Sequence, residues 1–293
     1  MAKARTNNIE IEYETFGNQS DKPLLLIMGL GDQLSSWDEG FIKSLTDRGF
    51  LVIVFDNRDV GLSTKCDEAG EPDLMGAMMA FQQGETIKAP YSLDDMADDS
   101  VGLLDVLGFK QAHICGVSVG GMIAQTVAYR HPSRVLSLTC IMSTTNNPEL
   151  PQMTQETAIV FMSPVPPERD AQIENQIKVA KFVYGSGFPF DEEKIRTIVA
   201  KSFDRCFYPQ GILRQMIAIM VQGNLKEKIS VIKVPTLVIH GREDLLYPVE
   251  CGIEIAESIQ GSELIIIEGL GHSLPPELWT QITDAIKKNA SKS

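Results

Sequence analysis

Residues 113–121 read His113-Ile-Cys-Gly-Val-Ser-Val-Gly-Gly121 and contain a G-x-S-x-G pattern centred on Ser118. An apolar strand pattern precedes this segment and a helical pattern follows it, so the serine falls at a sharp strand-to-helix turn. Gly116 and Gly120 lack the side chains that would collide with such a tight backbone. The pattern predicts that Ser118 is a nucleophile at the carboxyl end of a strand, where open α/β sheets place their sites. The alternative is a serine in an ordinary surface turn.

Short apolar runs bounded by Gly, Pro or Asp predict further strands on both sides of this segment. The runs are Ile9–Thr15, Pro23–Met28, Leu51–Phe55, Ala112–Gly116, Val135–Met142, Pro235–His240 and Glu263–Glu268. Several are continuously apolar, which is typical of strands buried on both faces of a parallel sheet. The first run alternates, which favours antiparallel pairing at an edge. Helical patterns at Leu93–Leu107, Gly120–Arg130 and Val249–Ile259 lie between runs, so the sequence predicts a doubly wound α/β sheet.

The alternation of strands and helices stops at about Thr145 and resumes at about Val234. Residues 146–230 have a proline-rich start, followed by helical patterns at Arg169–Tyr184, Asp191–Phe203 and Gln210–Gly223. This segment holds eight of the 20 aromatic residues (2 Trp, 6 Tyr and 12 Phe), which a solvated linker would not need. Packing between helices accounts for most of these rings, and the remainder could face a ligand. The sequence predicts a core of residues 1–145 and 231–293 and a helical cap of residues 146–230.

Two other segments have an unusual composition. The helical pattern at Leu93–Leu107 carries several aspartates on one side, which predict a solvated face. These are Asp94, Asp95, Asp98 and Asp99. The irregular stretch Lys65–Pro90 contains three methionines and predicts either a flexible flap or a packed surface loop.

A serine hydroxyl is a poor nucleophile without a base, and the chain has four histidines. His272 ends the glycine-rich stretch Glu268-Gly-Leu-Gly-His272, directly after the last predicted strand. Such a loop is flexible enough to hold an imidazole over Ser118, so the pattern favours His272 as the base. Structural positions are expected for the others: His113 within a strand, His131 at a helix end and His240 at a strand end.

An acid that orients the base is expected after another strand. Asp244 lies four residues past the end of the run Pro235–His240 and ahead of Tyr247. Its role would be to hold the imidazole tautomer and to stabilise the imidazolium without taking the proton. Glu243 and Glu268 are rivals, and each is expected to be a solvated charge.

The oxyanion of an acyl-transfer intermediate needs two backbone N–H donors. Val119, the residue after the nucleophile, is expected to supply one of them. Leu30 is expected to supply the other, because Gly29 and Gly31 on either side let the backbone bend towards a substrate. The alternative for this segment is a plain glycine turn.

Five segments together resemble the α/β-hydrolase superfamily, and the resemblance covers nearly the whole chain. They are MGLGDQLSSW (28–37), FDNRDVGLS (55–63), GVSVGGMIAQ (116–125), VPTLVIHGREDLLYP (234–248) and EGLGHSLPP (268–276). The resemblance implies an oxyanion loop, a loop after the next strand, a nucleophile elbow, an acid loop and a histidine loop, in that order. The chain order Ser118, Asp244, His272 is also the order of this superfamily.

The second segment together with YSLDDMADDSVGLLDVLG (91–108) is most similar to bacterial esterases like aclacinomycin methylesterase. This resemblance implies that Asp56, Arg58 and Asp59 are structural supports near the pocket. Met28-Gly29 replaces the commoner His-Gly start of the oxyanion loop, which removes a side-chain hydrogen bond but keeps the backbone donor. Haloalkane dehalogenases and epoxide hydrolases carry Asp at the position of Ser118, so both chemistries are disfavoured. The chain has no HGGG motif, so hormone-sensitive-lipase-like esterases match it less well.

Composition excludes several classes of protein. The net charge of −13 argues against binding to nucleic acid or to an anionic membrane surface. The longest apolar runs are far shorter than the roughly 20 residues of a membrane helix. The N-terminus lacks the apolar region of a secretory signal. Five scattered cysteines without CxxC spacing indicate reduced thiols rather than a zinc site, as in a cytoplasmic protein.

Together the motifs and the resemblance predict a cytoplasmic serine hydrolase that acts on a small-molecule ester. The expected activity is that of a carboxylesterase for short to medium acyl or methyl esters, with no metal and no organic cofactor. The same three residues could instead cleave carbon–carbon bonds, thioesters or lactones, or carry out perhydrolysis. A ligand receptor with little turnover on this scaffold is the alternative from another class. The sequence does not indicate an oligomeric state.

Overall fold

A computed structural model describes residues 1–163 and 165–293. Its strands are β1 (Ala2–Thr6), β2 (Ile9–Phe16), β3 (Lys22–Ile27), β4 (Phe50–Phe55), β5 (Ala112–Val117), β6 (Val135–Ile141), β7 (Thr236–Gly241) and β8 (Glu263–Ile267). Its helices are α1 (Glu39–Thr46), α2 (Leu74–Gln83), α3 (Leu93–Val106), α4 (Val119–Arg130), α5 (Gln155–Phe161), α6 (Arg169–Val183), α7 (Glu192–Arg205), α8 (Pro209–Gln222), α9 (Lys226–Ile229), α10 (Val249–Ser258) and α11 (Trp279–Ala290).

The strands form one sheet in the order β1-β2-β4-β3-β5-β6-β7-β8. β1 pairs with β2, and β2 with β4, in antiparallel fashion, whereas every other neighbouring pair is parallel. The strands β4, β5 and β7 are buried at every position, which explains why their residues are apolar or small apart from His113 and His240. The prediction of a mostly parallel sheet flanked by helices is confirmed.

Helices cover both faces of this sheet, because successive side chains of a strand point to opposite faces. In β3, Leu24 and Leu26 pack in an apolar cluster with side chains of α1 and α11. Leu25 and Ile27 of the same strand belong to a second cluster, with side chains of α3, α4 and α10. The two clusters hold the sheet between two helical layers and fix the carboxyl ends of its strands as a rigid platform.

The edge of the sheet differs from the prediction. All seven predicted strands are present with ends shifted by at most one residue, but β1 was not predicted. Only Ala4 of β1 is buried, so the segment AKART has no apolar run that would mark it as a strand. β2 is antiparallel as expected, but it is not the edge strand, because β1 pairs with its outer side.

The prediction of a solvated acidic face on α3 was wrong for Asp99. This carboxylate is buried and accepts hydrogen bonds from Arg58 Nε and Nη2 at 2.6 and 2.7 Å. Arg58, in the loop after β4, compensates the charge of this buried aspartate through the bidentate pair. Asp94 and Asp98 remain half-exposed, and both bond Arg130.

The stretch Lys65–Pro90 is not purely a loop, because it contains α2. Asp73 caps the start of this helix by accepting a hydrogen bond from Gly76 N–H, and Gly84 ends it in the left-handed region with φ of 68°. Met75 and Met79 are exposed, and Ala77 is the buried residue of the helix. The sequence pattern does not predict this helix, and its ends are defined by the local capping residues Asp73 and Gly84.

Between β6 and β7 the structure has five helices, α5 to α9, and no strand within the described part of this segment. Leu225 and Ile229, near the end of the segment, are fully buried in the same apolar cluster as α3 and α4. We keep the name cap for residues 146–230, and the division into core and cap stays a prediction. Within the described residues, no helix combines the length and the apolar character that crossing a membrane requires.

Candidate active site

Ser118 lies at the turn between β5 and α4, as the G-x-S-x-G pattern predicts. Its backbone angles are φ 56° and ψ −125°, a strained conformation for a residue with a side chain. The turn is held on both sides: Ser118 N–H donates to Ile141 O at 2.9 Å, and Gly121 N–H donates to Ser118 O at 2.9 Å. The Ser118 side chain is therefore held at the carboxyl end of the sheet, next to the N-terminus of α4.

The two glycines of the pattern are required by close packing of backbone. A Cβ atom on Gly116 would lie 2.0 Å from Gly120 O, and one on Gly120 would lie 2.1 Å from Ile27 O. Both distances are far below van der Waals contact with oxygens that belong to the main chain and cannot rotate away. The turn can form only with glycine at these positions.

His272 and Asp244 are brought together from loops that follow β8 and β7. His272 Nδ1 lies 2.7 Å from Asp244 Oδ2. The other carboxylate oxygen, Oδ1, accepts hydrogen bonds from the N–H groups of Leu246 and Tyr247, each at 2.9 Å. The edge of the Tyr247 ring faces the imidazole with 5.8 Å between ring centroids. These contacts fix the imidazole plane and place Nδ1 toward the acid.

The surroundings of Asp244 keep its carboxylate charged. Burial alone raises the pKa of Asp244, but the charge and hydrogen bond of His272, together with the backbone hydrogen bond from Tyr247, outweigh burial. The pKa of Asp244 is therefore lowered below the ordinary value of an aspartate. The side chain has no exposed surface. A buried carboxylate of this kind can stabilise an imidazolium that forms beside it.

The loop after β3 lies against the nucleophile turn. A Cβ atom on Gly29 would lie 3.2 Å from Ser118 Cβ, so this loop passes directly beside the serine. Gly31, at φ 69°, donates its N–H to Gln215 Oε1 at 3.0 Å. Within the described residues, Leu30 N–H donates to no protein acceptor. Val119, as the first residue of α4, has no intrahelical acceptor for its N–H. Both groups are thus free to bind an anion.

Comparison with known proteins agrees with this geometry. Residues 22–277 match the family described as the alpha/beta hydrolase fold. The chain belongs to this family. It is similar to rhodomycin D methylesterase DnrP of Streptomyces peucetius, with 27% identity over 96% of this chain and 94% of that protein. It is also similar to 3-oxoadipate enol-lactonase 2 of Acinetobacter baylyi, with 24% identity over 96% of this chain and 94% of that protein.

Solved structures of this α/β-hydrolase family share the fold. A meta-cleavage product hydrolase (CumD) from Pseudomonas fluorescens IP01 superimposes with a TM-score of 0.77 at 18% identity. That match covers 100% of this chain and 98% of the other. The family resemblance proposed from the sequence motifs is therefore confirmed, and the methylesterase relative agrees with the resemblance to bacterial methylesterases.

The other histidines of this α/β hydrolase occupy structural positions. His113 is buried in β5, where its Nδ1 lies 2.8 Å from Ser137 Oγ and its ring packs edge-on against Phe50. His240 is also buried, and its Nε2 lies 2.7 Å from Tyr247 O. Burial lowers the pKa of both imidazoles. His131 ends α4 and pairs with Asp98 at 2.7 Å.

The rival acids are engaged elsewhere, at the surface. Glu243 accepts hydrogen bonds from Ser186 N–H at 2.8 Å and from Ser186 Oγ at 2.9 Å. Glu268 pairs with Arg242 at 3.2 Å, and both side chains are exposed. Neither glutamate bonds His272 in the part of the chain that the structure describes, so Asp244 is the acid that the geometry brings to it.

Ser118 lies beside the loop that leads to the cavity lined by His272, although no hydrogen bond joins the two side chains within the described residues. Leu30 and His272 both line a cavity of about 480 Å³, and the loop that carries Leu30 touches Ser118 through Gly29. Hydrogen bonds between nucleophile and base are often long before substrate binds and tighten in the complex. The arrangement can therefore complete a nucleophile and base pair when an ester occupies the cavity.

Two cavities meet at His272. The larger one lies under helices α5 to α8 and is lined mainly by apolar side chains, including Phe161, Val179, Ile198, Phe203, Ile212 and Met216. The smaller one, of about 240 Å³, is lined by Met28, Trp37, Phe41, Tyr184, Leu274 and Trp279 among others. Several aromatic residues of the cap thus face this space, whereas Phe188 packs against the apolar cluster of the core and Phe190 packs edge-on with Tyr184. A volume of this order suits a small organic ligand.

Polar contacts that the sequence did not reveal hold the cap over the site. Arg205 of α7 forms an ion pair with the fully buried Asp56 at 2.7 Å. Arg214 of α8 pairs with Asp59 at 3.3 Å. Gln33 Nε2 donates to two carbonyl oxygens of the cap, those of Ser202 and Cys206, at 2.7 and 2.8 Å.

Asp56 and Asp59 are thus supports near the pocket, as the resemblance implied, and their partners come from the cap. Arg58 instead supports α3 by pairing with Asp99. Gln215, which holds Gly31, is separated from it by 184 residues in the chain. No local sequence pattern could have indicated these pairs.

Proposed function

We propose that this α/β hydrolase cleaves carboxylic esters of small molecules through an acyl-enzyme on Ser118. His272 acts as the general base and acid, Asp244 orients it, and the N–H groups of Leu30 and Val119 bind the oxyanion. The observation that carries the proposal is the 2.7 Å contact between His272 Nδ1 and the buried Asp244, on the wall of the cavity that Leu30 also lines.

Acylation depends on which ring nitrogen of His272 carries the proton. With its Nδ1 proton donated to Asp244, His272 has a free lone pair on Nε2 that accepts the proton of Ser118. The serine oxygen attacks the ester carbonyl carbon, and the negative charge that develops on the carbonyl oxygen accepts hydrogen bonds from Leu30 and Val119. The tetrahedral intermediate then collapses, and the carbon–oxygen bond to the alcohol breaks. The alcohol leaves with the proton from His272.

Deacylation repeats these steps with water. Neutral His272 takes a proton from a water molecule, and the resulting hydroxide attacks the acyl carbon of the Ser118 ester. A second oxyanion forms at the same two N–H groups, and its collapse returns the proton to the serine oxygen. The products are the free acid and regenerated Ser118, and the chemistry of these steps requires no redox partner.

The cavities favour a small ester over an emulsified lipid. The larger cavity of about 480 Å³ is lined mainly by apolar side chains, so it suits the acyl part of a short or medium ester. A relative is named as a methylesterase, which supports a methyl or other short alcohol on the leaving side. We also propose a cytoplasmic location, because all five cysteines are free thiols and four of them are buried.

A panel of esters tests the proposal. Turnover of methyl and p-nitrophenyl esters of short, medium and long acids is measured beside thioesters and lactones, for the wild type and for Ser118→Ala. We expect repeated turnover of short and medium esters, and a loss of roughly a million-fold in kcat in Ser118→Ala. The matched control is Ser262→Ala, which removes a half-buried hydroxyl before β8 at the opposite end of the sheet.

The results separate the proposal from its alternatives. Retained turnover in Ser118→Ala would overturn the assignment of Ser118 as the nucleophile. A preference for thioesters or lactones would show that the enzyme cleaves those bonds rather than simple esters. Stoichiometric labelling by a fluorophosphonate without any turnover would indicate a receptor. Ser262→Ala is expected to behave as the wild type, because its hydroxyl donates to Ala256 O, away from the cavity.

A further inference from the structure

Asp32 is a carboxylate on the wall of the larger cavity. It follows Gly31 in the loop after β3, two residues beyond Leu30. The residue keeps accessible surface because it lines the cavity under the cap helices, although protein atoms surround it closely on its other sides. Among the described residues, Asp32 forms no ion pair, and its carboxylate accepts no hydrogen bond. In the sequence, this residue belongs to the segment 28–37 that resembles an oxyanion loop.

Asp59 is the other acidic residue of this cavity, and unlike Asp32 it has protein partners. Asp59 pairs with Arg214 at 3.3 Å and accepts a hydrogen bond from Cys66 N–H at 2.7 Å. No lysine or arginine lines the cavity in the part of the chain that the structure describes. Among these residues, the charge of Asp32 is thus not compensated by any lysine or arginine of the cavity wall.

The surrounding protein affects the charge of Asp32. Burial among protein atoms raises the pKa of Asp32 to about 6, and the charge of His272 acts in the opposite direction. At neutral pH most molecules still carry the ionised carboxylate. An unpaired anion in a mainly apolar cavity is costly, and a cation bound beside it would remove that cost. The net charge of −13 also favours entry of a cationic ligand.

We propose that Asp32 binds a protonated amine on the acyl part of the substrate, so that the enzyme selects cationic esters over neutral esters of the same shape. The inference rests on the proposed function for the position of the ester bond. The acyl part is indicated because a short alcohol such as methanol is too small to fill a cavity of about 480 Å³. Asp32 is thus a specificity-determining residue.

The experiment compares two methyl esters of equal shape. One is methyl γ-(dimethylamino)butyrate, and the other is its carbon isostere, in which CH replaces the protonated nitrogen. We expect the wild type to prefer the amine in kcat/KM by about 10- to 100-fold, the range of hydrogen bonds to charged groups. Asp32→Asn keeps the size of the side chain and is expected to abolish this preference, so that the ratio of kcat/KM for the two esters falls to about one.

Two controls identify the cause of the preference. Glu257→Gln removes the same charge from an exposed position on α10 and should leave the preference unchanged. The charge of His272 acts on Asp32, so Asp32→Asn should shift the pH–rate profiles of both esters to the same extent, and the preference is therefore compared on the plateau of each profile. An equal loss on both esters on these plateaus, with the preference retained, would overturn the proposal, because Asp32 would then act only on His272 or on the fold. Equal turnover of both esters by the wild type would also overturn it.

Failure of the inference can be told apart from failure of the proposed function. If neither ester is hydrolysed, the proposed activity on these esters is wrong, and binding still tests Asp32. Calorimetry on Ser118→Ala and on Ser118→Ala with Asp32→Asn then measures the affinity for each ester. Tighter binding of the amine ester that depends on Asp32 supports the inference, and equal binding of both esters overturns it.

Discussion

The Nδ1 atom of His272 lies 2.7 Å from Oδ2 of Asp244, whose Oδ1 is bound by two backbone N–H groups. Both oxygens of the carboxylate thus have hydrogen-bond donors. The carboxylate can neither rotate away nor turn its proton-accepting edge elsewhere. The imidazole is therefore held with Nδ1 as the donor and Nε2 as the acceptor, which is the tautomer that a base for Ser118 needs.

Asp244→Asn should lower kcat by about ten-thousand-fold, because an amide can donate to Nδ1 and so stabilise the wrong tautomer. Ester turnover at neutral pH measures the loss, and the melting temperature shows that the variant remains folded. Glu243→Gln is the matched control, since it changes the neighbouring acid that bonds Ser186. Equal losses in the two variants would show that Asp244 is not the residue that orients His272.

Gly116→Ala should lower the free energy of unfolding by about 3 kcal/mol or more, because its Cβ would meet a main-chain oxygen. That oxygen is Gly120 O, at 2.0 Å from the added atom. Gly261→Ala is the control, since Gly261 has φ of 83° but no atom within 4 Å of an added Cβ. The control should lose about 1–2 kcal/mol from backbone strain alone. Urea unfolding measures both, and equal losses would contradict the packing argument.

The parts of the fold and the site that could be predicted from the sequence are those set by local rules. Ser118 is marked by glycines two residues away, because the close approach of backbone is a local event. Asp244 and His272 follow strands that are continuously apolar, and the ends of parallel strands meet at one edge of the sheet. The helix predicted at Leu93–Leu107 is present as α3, which ends one residue earlier, and Ser92 caps its start.

The remaining features depend on contacts between distant parts of the chain. Gln215 holds the oxyanion loop from the cap, and Arg205 reaches Asp56 across the interface between cap and core. Asp32 differs from other acidic residues because it has no partner among the described residues of the cavity. This can be recognised only once the positions of the cap helices are known. β1 was missed because edge strands need little apolar surface, and pairing with β2 alone defines it.

The imidazole of His113 should make stability depend on pH. Burial, with a smaller contribution from Lys22, lowers the pKa of His113 from 6.5 to about 4. Between these values the unfolded chain binds a proton and the folded protein does not, so stability rises with pH. The stabilisation that neutral His113 gives is fully present above about pH 6.5. As the pH falls towards 4, the free energy of unfolding decreases by about 3 kcal/mol.

His113→Gln tests this linkage, because glutamine retains a polar group for Ser137 but does not titrate. Unfolding free energies of the variant and the wild type are measured from pH 7 to pH 4. The variant is expected to be less stable at pH 7, and the difference between the two proteins should shrink as the pH falls. A difference that stays constant across this range would contradict a buried, neutral His113.

Arg205→Met should destabilise the protein by about 3–5 kcal/mol, because it leaves the carboxylate of Asp56 buried without its cation. Asp56 also accepts the N–H of Leu34 at 2.8 Å, so its rearrangement would disturb the loop that carries Leu30. We therefore expect a lower kcat/KM together with the lower unfolding free energy. Lys43→Met breaks the exposed pair with Asp47 and should cost only about 0.5 kcal/mol. If the two variants were equally stable, the buried pair would not be what anchors the cap.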